Sequence, residues 1–386
     1  MGKIAIISFS NPFVEKKDGG KIDIINRIKC IHKLNIKIDH YSLLKKNEQA
    51  ISSDYIVQNN IIGKINNRIS YILSLFPLSV NNRYNKKIHK KLLSNQYNWC
   101  LIENFNMVRY IEGINKDTKI LLRVHNIESI SRYELFKSNK YSARGILELI
   151  ESIKYKWIEK NSLKKVDKFL FISQDEMKYF EEKYPQYKFK YEWLPAIIEG
   201  NIIENLYDEL SEDYILYYGD LTVSHNIIGI KIFLEYVYAK VYKKRNIKIK
   251  VAGKINDIDR EELSKKPGVE VLGYVDDLDK CIAQSKFVVA PIYTGAGVKI
   301  KVIDAISKGK ILITTPKGIE GTGLIKDKNA LCANNFEEYY NYCIRALEND
   351  LDIKLISKKG YEFVNKYYTE EYNIKKLKEL LLKVIE

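Results

Sequence analysis

The sequence predicts an α/β protein made of two doubly wound domains, each with a parallel sheet covered by helices. Its 386 residues suffice for two domains of about 100–200 residues each. Short apolar runs alternate with longer segments of helical periodicity over nearly the whole chain. Several runs, such as residues 215–218 and 287–290, are continuously apolar, as in strands buried on both faces of a parallel sheet. This alternation favours two consecutive doubly wound folds.

The apolar runs define the predicted strands. In the first half they are Lys3–Ser10, Ile36–Ser42, Asn98–Glu103, Lys119–Val124, Lys168–Ser173 and Lys188–Leu194. In the second half they are Tyr214–Tyr218, Ile247–Ala252, Val269–Leu272, Phe287–Pro291 and Ile311–Thr315.

Amphipathic patterns between the strands predict helices. They cover Gly145–Lys160, Asn226–Val241, Lys299–Ser307, Glu337–Asn349 and Glu370–Ile385. The acidic, Asn-rich stretch Pro195–Glu212 separates the two series of strands. We therefore predict a first domain over residues 1–198 and a second over 199–365. The final helix, within 366–386, either closes the second domain or packs back on the first.

Composition excludes several classes of protein. Apolar residues make up 46% and charged residues 29%, which excludes a disordered or fibrous chain. No apolar run approaches the roughly 18–20 residues of a membrane-spanning helix. The apolar start, Ile4–Phe9, fits a first strand better than a secretion signal. The five cysteines form no CxxC pair, which favours a reducing, cytoplasmic setting.

The net charge of +15 indicates an anionic partner. A nucleic acid, an anionic membrane surface and a phosphorylated substrate all carry suitable charge. The aromatic residues are dispersed rather than grouped in the runs that stack on RNA bases, so no nucleic-acid partner is predicted.

The segment Asn59–Leu93 departs from the alternation of strands and helices. It combines apolar runs with the basic residues Arg83, Lys86, Lys87, Lys90 and Lys91. This pattern is typical of a helix lying on an anionic membrane surface. It equally fits a helix that packs into the core and exposes a basic side, and the sequence leaves both interpretations open.

Ligands of doubly wound sheets bind at the carboxyl ends of the strands, so the strand-to-helix loops are the places to search. After the first strand, Gly19 and Gly20 precede a helix, where a ligand can approach the backbone. The same Asp-Gly-Gly sequence also forms ordinary turns. In the loop at Arg123–Ser129, Arg123 and His125 stand at a strand end beside Asn and Glu. A lone histidine there is either a site residue or a satisfied structural one.

The strongest candidate is the turn from Gly295 to Lys301. A buried strand ends, two glycines expose the backbone, and Lys299 lies in the first turn of the following helix. A cation at a helix N-terminus is unfavourable unless an anion is also present, which predicts a phosphate or diphosphate site. Asp304, further along this helix, is predicted to accept hydrogen bonds from sugar hydroxyls. The alternative is a surface lysine and a solvated aspartate.

Three further loops follow strands of the second half. They contain Gly219 and Asn226, then Tyr274, then Thr315 and Glu320. Since strand ends of one sheet share an edge, a single nucleotide-shaped ligand could contact all of them and the Gly295 turn.

Other chemistries lack their motifs. No two histidines have metal-ligand spacing, and no Walker loop or GxSxG elbow is present. Asp-x-Asp pairs at Asp257–Asp259, Asp277–Asp279 and Asp350–Asp352 could hold a divalent metal on a nucleotide sugar. Their Lys-rich, helical surroundings favour a chance origin, so no metal is predicted.

The second half resembles the nucleotide-sugar domain of the GT-B glycosyltransferases of group 1, the family-four type. The resemblance covers about Tyr214–Ala333 and rests on Tyr-Tyr-Gly-Asp, Val-Ala-Gly-Lys, Leu-Gly-Tyr-Val-Asp-Asp, Gly-Ala-Gly-Val-Lys-Ile-Lys-Val-Ile-Asp and Thr-Thr-Pro-Lys-Gly. The first half is similar only in outline, through the Asp-Gly-Gly loop and Arg-Val-His-Asn-Ile-Glu. The resemblance implies two Rossmann-like domains facing across a cleft.

The resemblance also implies roles for individual residues. Lys299 would meet the diphosphate, helped by Lys301 and the backbone of Gly295, Ala296, Gly297 and Val298. Asp304 would hold the ribose, and Tyr274 would flank the base. Gly19 and Gly20 would approach the phosphates or the sugar, while His125 would lie beside the transferred sugar and Arg123 would help stabilise the leaving group.

One feature departs from the family pattern. Many members carry a Glu pair separated by seven residues, the second on the helix that holds Asp304. Here Ala296 stands eight residues before Asp304, so the first Glu is absent and the second is shortened. The Gly-x-Gly-x-Lys form resembles a variant of the site.

The expected function is metal-independent, retaining transfer of a hexosyl or N-acetylhexosaminyl group from a nucleotide sugar, with no further cofactor. A UDP-sugar is the expected donor, and a glycan or lipid-linked acceptor in surface polysaccharide synthesis is the expected acceptor. The predicted location is cytoplasmic, with peripheral contact at the inner face of the plasma membrane. Alternatives are a sugar-nucleotide epimerase of the same architecture and a non-catalytic protein that binds sugars or polyanions.

Overall fold

The computed structural model describes residues 2–14, 19–44, 51, 53–56, 58–64, 74–112, 114–198, 212–295 and 297–382. Contacts divide the chain into two compact units. Unit 1 comprises Met1–Ile197 and Glu370–Glu386, and unit 2 comprises Ile198–Thr369. Among the described residues, no helix has both the length and the apolar character needed to span a bilayer.

Unit 1 contains a seven-stranded parallel sheet in the order β3-β2-β1-β4-β5-β6-β7. Chain order reverses between β1 and β4, and a crevice for ligands forms where such reversals occur. The strands are β1 Lys3–Ile7, β2 Lys37–Leu44, β3 Gln58–Lys64, β4 Trp99–Ile102, β5 Lys119–Val124, β6 Lys168–Phe171 and β7 Tyr191–Trp193.

Helices cover both faces of this sheet's apolar strands, and two buried clusters form the core. The helices are α1 Gly19–Lys33, α2 Leu78–Arg83, α3 Lys86–Leu93, α4 Glu128–Ser138, α5 Ala143–Lys165 and α6 Gln174–Lys183. Short 3₁₀ helices lie at Phe105–Ile111 and Pro185–Lys190.

Unit 2 contains a six-stranded parallel sheet in the order β10-β9-β8-β11-β12-β13. Chain order reverses between β8 and β11, so the loops after these two strands flank the expected ligand crevice. The strands are β8 Tyr214–Tyr218, β9 Lys248–Ala252, β10 Val269–Gly273, β11 Phe287–Ala290, β12 Leu312–Thr314 and β13 Leu331–Cys332.

The helices of unit 2 alternate with these strands, and several contribute buried apolar residues to its core. They are α7 Ser224–Phe233, α8 Ala239–Arg245, α9 Asp257–Ser264, α10 Leu278–Gln284, α11 Ile300–Ser307, α12 Pro316–Ile319, α13 Phe336–Leu347 and α14 Leu351–Tyr367. A π-helical turn, Leu234–Tyr238, joins α7 to α8.

The last helix, α15 Glu370–Leu382, belongs to unit 1 and packs on α1. Its Leu377 and Leu381 are buried in the same cluster as Ile24 and Ile28 of α1. Burial of these leucines places the C-terminal helix against the first sheet's helical layer.

The predicted two-sheet α/β fold is confirmed, and every predicted strand is present. The strand predicted over Lys188–Leu194 is shorter, because its first residues belong to the 3₁₀ helix that begins at Pro185. Strands β3 and β13 were not predicted. Part of the Pro195–Glu212 boundary stretch, residues 199–211, lies outside the described residues.

The membrane-surface interpretation of Asn59–Leu93 stays a prediction, because the central part of the segment is not described. The segment begins within β3 and ends with α2 and α3, while residues 65–73 lie outside the described part. Ile88 and Leu92 of α3 are buried in the core and its lysines are exposed. The second interpretation, a core-facing helix with a basic side, therefore holds for α3.

Candidate functional site: a basic corner in unit 2

Two glycines and a lysine determine the conformation of the turn between β11 and α11. Gly295 and Gly297 have φ values of +107° and +75°, in the left-handed region that favours glycine. Lys299 occupies the N-cap position of α11, and its Nζ donates to the carbonyl oxygens of Gly295 and Gly297 at 3.0 Å and 2.6 Å. Val298 is half-buried, whereas Ala296 lies outside the described residues. The turn thus presents backbone and ammonium groups together.

Lys301, in the first turn of α11, connects this turn to the loop after β8. Its Nζ donates to Oδ1 of Asn226 at 2.8 Å and lies 5.0 Å from the centroid of the Tyr217 ring. A methyl group on Gly219 would lie 3.5 Å from this Nζ. The structure therefore brings together the predicted residues Gly219, Asn226 and Lys301.

Burial makes both lysines weaker bases than usual. The pKa of Lys299 is lowered to about 8 by burial and by Lys317, against the opposing effect of Glu320. Burial and the charge of Lys299 likewise lower the pKa of Lys301 to about 8. Both shifts indicate that positive charge is unfavourable in this corner without an added anion.

His225 also belongs to the corner, although it was not among the predicted site residues. A methyl group on Gly295 would lie 3.8 Å from the His225 ring and 3.7 Å from Nζ of Lys299. Burial, Lys301 and Lys299 lower the pKa of His225. Its position directly before Asn226 at the start of α7 was the available signal. We call Lys299, Lys301 and His225 the basic corner.

Asp304 lies on α11 and is fixed by two side chains. Its Oδ2 accepts a hydrogen bond of 2.8 Å from the Tyr218 hydroxyl, and its Oδ1 lies 2.9 Å from Nζ of Lys308. Lys308 also pairs with Asp279 at 2.7 Å. Burial and the Asp304 carboxylate raise the pKa of Tyr218 well above its usual value, so the tyrosine remains a donor. The Asp304 side chain keeps 20% of its surface exposed.

The loop after β12 contacts the loop after β11. The Thr315 hydroxyl donates to the Ile292 carbonyl and accepts from the Gly318 amide at 3.3 Å, which caps the short helix α12. Glu320 pairs with Lys317 at 2.5 Å. Because Glu320 and Lys317 both influence the pKa of Lys299, this loop lies beside the basic corner.

Tyr274 follows β10 and is 81% exposed.

Gly253 directly follows β9 and approaches the backbone of Gly219 closely. A methyl group on Gly253 would lie 1.9 Å from the Gly219 carbonyl oxygen. Close packing at Gly253 fixes the position of the loop after β8.

Unit 1 has a separate cluster of buried charges at the ends of β4 and β5. Arg27 of α1 donates to both carboxylate oxygens of Glu103, each at 2.8 Å, and to Asp23 at 2.7 Å. Burial opposes ionisation of Glu103, but Arg27 and His125 outweigh it and lower the pKa of Glu103 to about 2. Arg27 thus holds two carboxylates ionised.

Arg123 is fully buried within this cluster. It donates to the Leu194 carbonyl and to Asp23 at 3.2 Å. Burial, then the charge of Arg27, lowers the pKa of Arg123 to about 10. This placement favours a supporting role for Arg123 through Asp23 over direct contact with a leaving group.

His125 lies at the exposed edge of the cluster. Its side chain is 14% exposed, and Nε2 lies 3.7 Å from Oε2 of Glu103. The His125 ring meets Phe9, from the loop after β1, edge to face.

Gly19 and Gly20 form the start of α1, and a methyl group on Gly19 would meet no atom within 4 Å. The Gly19 position therefore borders open space.

Asp23, Glu103 and His125 could in principle hold a metal ion, because one ligand atom of each lies within 4.8 Å of the others. Both carboxylates, however, are already paired with guanidinium groups. A divalent cation would have to compete with Arg27 and Arg123, so the donor set fits a salt-bridge network better than a metal centre.

Comparison with known proteins identifies the second unit. Residues 212–349 match the family model described as Glycosyl transferases group 1. The chain is also similar to a 44.6 kDa protein in the cps region of Klebsiella pneumoniae, with 26% identity over 95% of this chain and 97% of that protein.

Solved structures share the fold over the whole chain. Sucrose-phosphate synthase from Thermosynechococcus elongatus has a TM-score of 0.69 and 14% identity, covering 100% of this chain and 99% of its own. Anabaena HepE in complex with UDP has a TM-score of 0.65 and 11% identity, covering 99% and 100%. WaaG, a glycosyltransferase involved in lipopolysaccharide biosynthesis, has a TM-score of 0.65 and 13% identity, covering 96% and 98%. Residues 212–349 therefore match the group 1 glycosyltransferases, and the chain as a whole shares the GT-B fold of these solved structures.

Proposed function

We propose that the protein transfers a sugar from a UDP-sugar to a glycan or lipid-linked acceptor in the synthesis of a polysaccharide or related glycoconjugate. The observation that carries this proposal is the basic corner, where two lysines and a histidine meet at a glycine turn of the group 1 domain. A diphosphate has the charge and the size to occupy such a corner.

Two of the similar proteins support the choice of substrate. HepE, which shares this fold, was solved with UDP, and the Klebsiella protein is encoded in a cps region. Asp304, on the same helix as Lys301, remains partly exposed, and in this proposal its carboxylate accepts hydrogen bonds from ribose hydroxyls. The exposed Tyr274 ring is our candidate for contact with the base.

The proposed mechanism follows from charge. Breaking the bond between the sugar carbon and the diphosphate oxygen leaves negative charge on UDP, which Lys299 and Lys301 would stabilise. The acceptor oxygen forms the new bond on the same face, giving retention, and its proton passes to the diphosphate oxygen. The lysines supply the positive charge for this step, so we propose transfer that needs no metal. His125 would lie beside the sugar.

Incubation with a UDP-sugar, followed by NMR, tests this function. With no acceptor, we expect slow hydrolysis to UDP and free sugar, while a change in sugar configuration on intact donor would indicate an epimerase. We expect Lys299→Ala to reduce hydrolysis at least about tenfold, as for removal of a transition-state donor.

Lys265→Ala is the matched control, because Lys265 is exposed in unit 2 and pairs at the surface with Glu261. Its rate should remain that of the wild type. Equal hydrolysis by the Lys299 and Lys265 variants would contradict the proposal, as would the lack of any turnover or stabilisation across a panel of nucleotide sugars.

A further inference from the structure

Helix α5 in unit 1 carries an exposed apolar stripe. Ile146, Ile150, Ile153 and Trp157 are 57%, 39%, 62% and 49% exposed. Their spacings of four, three and four residues place them on one face of the helix. Ile158 and other residues on the opposite side are buried in the core. The stripe is thus not the face by which α5 packs against its own sheet.

The loop before α2 extends this stripe. Phe76 meets Trp157 edge to face, with ring centroids 6.1 Å apart, and Leu75 beside it is 80% exposed. The amide of Leu78 donates to Oε2 of Glu151 at 2.7 Å, which fastens the loop to α5. We call Leu75, Ile146, Ile150, Ile153 and Trp157 together the α5 stripe.

The acidic residues of α5 are buried, whereas its exposed charged residues are basic. The carboxylates of the helix face inward: Glu148, Glu151 and Glu159 are 9%, 4% and 0% exposed. Each has a partner in unit 1, as Arg132 pairs with Glu148 at 3.0 Å. All exposed charged residues of the helix are basic, namely Arg144, Lys156, Lys160, Lys164 and Lys165.

Lys160 and Lys164 continue the line of the stripe, three and seven residues beyond Trp157. The surface is therefore apolar along three turns and basic along the next two. Isoleucines beside a tryptophan and lysines form the pattern of helices that lie in a lipid interface, where apolar groups enter the acyl boundary and long cations reach the headgroups.

We propose that the α5 stripe docks unit 1 on an anionic lipid surface. The uniformly basic charge beside the stripe complements phosphate headgroups. A symmetric contact between two copies would instead oppose like charges, which disfavours a second copy as the occupant. The proposal goes beyond the transfer reaction, because it does not depend on nucleotide binding.

Sedimentation with vesicles tests the proposal. We expect the protein to pellet with vesicles containing phosphatidylglycerol, to remain in solution with pure phosphatidylcholine, and to be released by high salt. The double variant Ile146→Glu with Ile153→Glu should lose at least about tenfold in partition. Lys160→Gln with Lys164→Gln should lose about fivefold per lysine, because each cation near the surface adds about a factor of five.

Ile258→Glu with Leu351→Glu is the matched control, since both residues are apolar, are 81% and 82% exposed, and lie in unit 2. This control should bind vesicles like the wild type. Stabilisation by UDP, measured on each variant, separates loss of docking from loss of the fold or of donor binding.

Binding to neutral and anionic vesicles alike, or equal loss in the control variant, would overturn the proposal. A dimer that the stripe variant dissociates, with no vesicle binding by the wild type, would assign the stripe to a second copy instead.

Discussion

At the scale of single residues, the proposed donor site depends on Lys299 and Lys301. The positive charge of each lysine is unfavourable in its buried position. Lys301 donates to the neutral amide of Asn226, and Lys299 donates to backbone carbonyls. Neutral acceptors only partly offset the loss of hydration of a buried ammonium. A bound diphosphate would offset it further, so ligand binding and lysine protonation should be linked.

This linkage predicts how donor binding depends on pH. Both lysines have a pKa of about 8 without ligand, and a diphosphate favours their charged forms. Affinity for UDP should therefore fall as pH rises through 8, by at least about tenfold between pH 7 and pH 9.5. Titration calorimetry at several pH values would measure it. Affinity that stays constant up to pH 9.5 would contradict the linkage.

The same pKa shifts determine how the stability of the unliganded protein changes with pH. An unfolded lysine keeps its proton up to about pH 10.4, whereas the folded one releases it near 8. Between these values the unfolded state binds more protons, so this contribution to the free energy of unfolding increases with pH. Stabilisation by UDP should change in the opposite direction over this range.

Some of this site was visible in the sequence. The Gly-x-Gly-x-Lys spacing identified the turn, because a lysine at a helix start is unfavourable without an anion and the glycines leave room for one. The pairing of Lys301 with Asn226 joins residues 75 positions apart and was not visible. His225 was missed because one histidine among polar neighbours gives no periodic signal; only the fold shows that it lies near the lysines.

At the scale of secondary-structure elements, the loops after β8 and β9 are held together by close backbone contact at Gly253. This glycine has φ +129° and packs against the Gly219 carbonyl. A side chain there must push the two loops apart, since backbone atoms cannot rotate away as a flexible side chain can.

Gly253→Ala should accordingly lower the free energy of unfolding by about 1–3 kcal/mol and weaken UDP binding. Chemical denaturation followed by circular dichroism measures the first effect. Gly19→Ala is the control, because the added methyl group would meet open space at the start of α1; its effect on stability should stay below about 1 kcal/mol. Equal stability of both variants would show that the Gly253 contact is not tight.

Strands were predicted well because buried parallel strands are continuously apolar, as Tyr214–Tyr218 and Phe287–Ala290 illustrate. β3 was missed because Gln58-Asn-Asn begins it with polar residues, and an edge strand needs no continuous apolar run. β13 has only two residues, too few for any periodic pattern. Both missed strands lie at the edges of their sheets.

At the scale of the whole molecule, the sequence predicted two units but could not decide where the last helix belongs. α15 is amphipathic, and its periodicity predicts an apolar face without indicating which core covers Leu377 and Leu381. The structure assigns it to unit 1, against α1. Such a choice depends on the shape of the receiving surface, which periodicity does not encode.

Basic residues that contribute to the net charge of +15 lie in two different surroundings. Part of it forms the buried basic corner in unit 2, where it suits a diphosphate. Another part lies on the exposed side of α5 in unit 1, beside the α5 stripe. Composition alone indicated an anionic partner, whereas the structure separates two sets of basic residues, one buried in unit 2 and one exposed on α5.

The central claim is that a nucleoside diphosphate binds at the turn that opens α11. A crystal structure of the protein with UDP tests it most directly. We expect β-phosphate oxygens within hydrogen-bond distance of Nζ of Lys299 or Lys301. UDP phosphates bound elsewhere, with Lys299 still bonded to the carbonyls of its own turn, would contradict the claim.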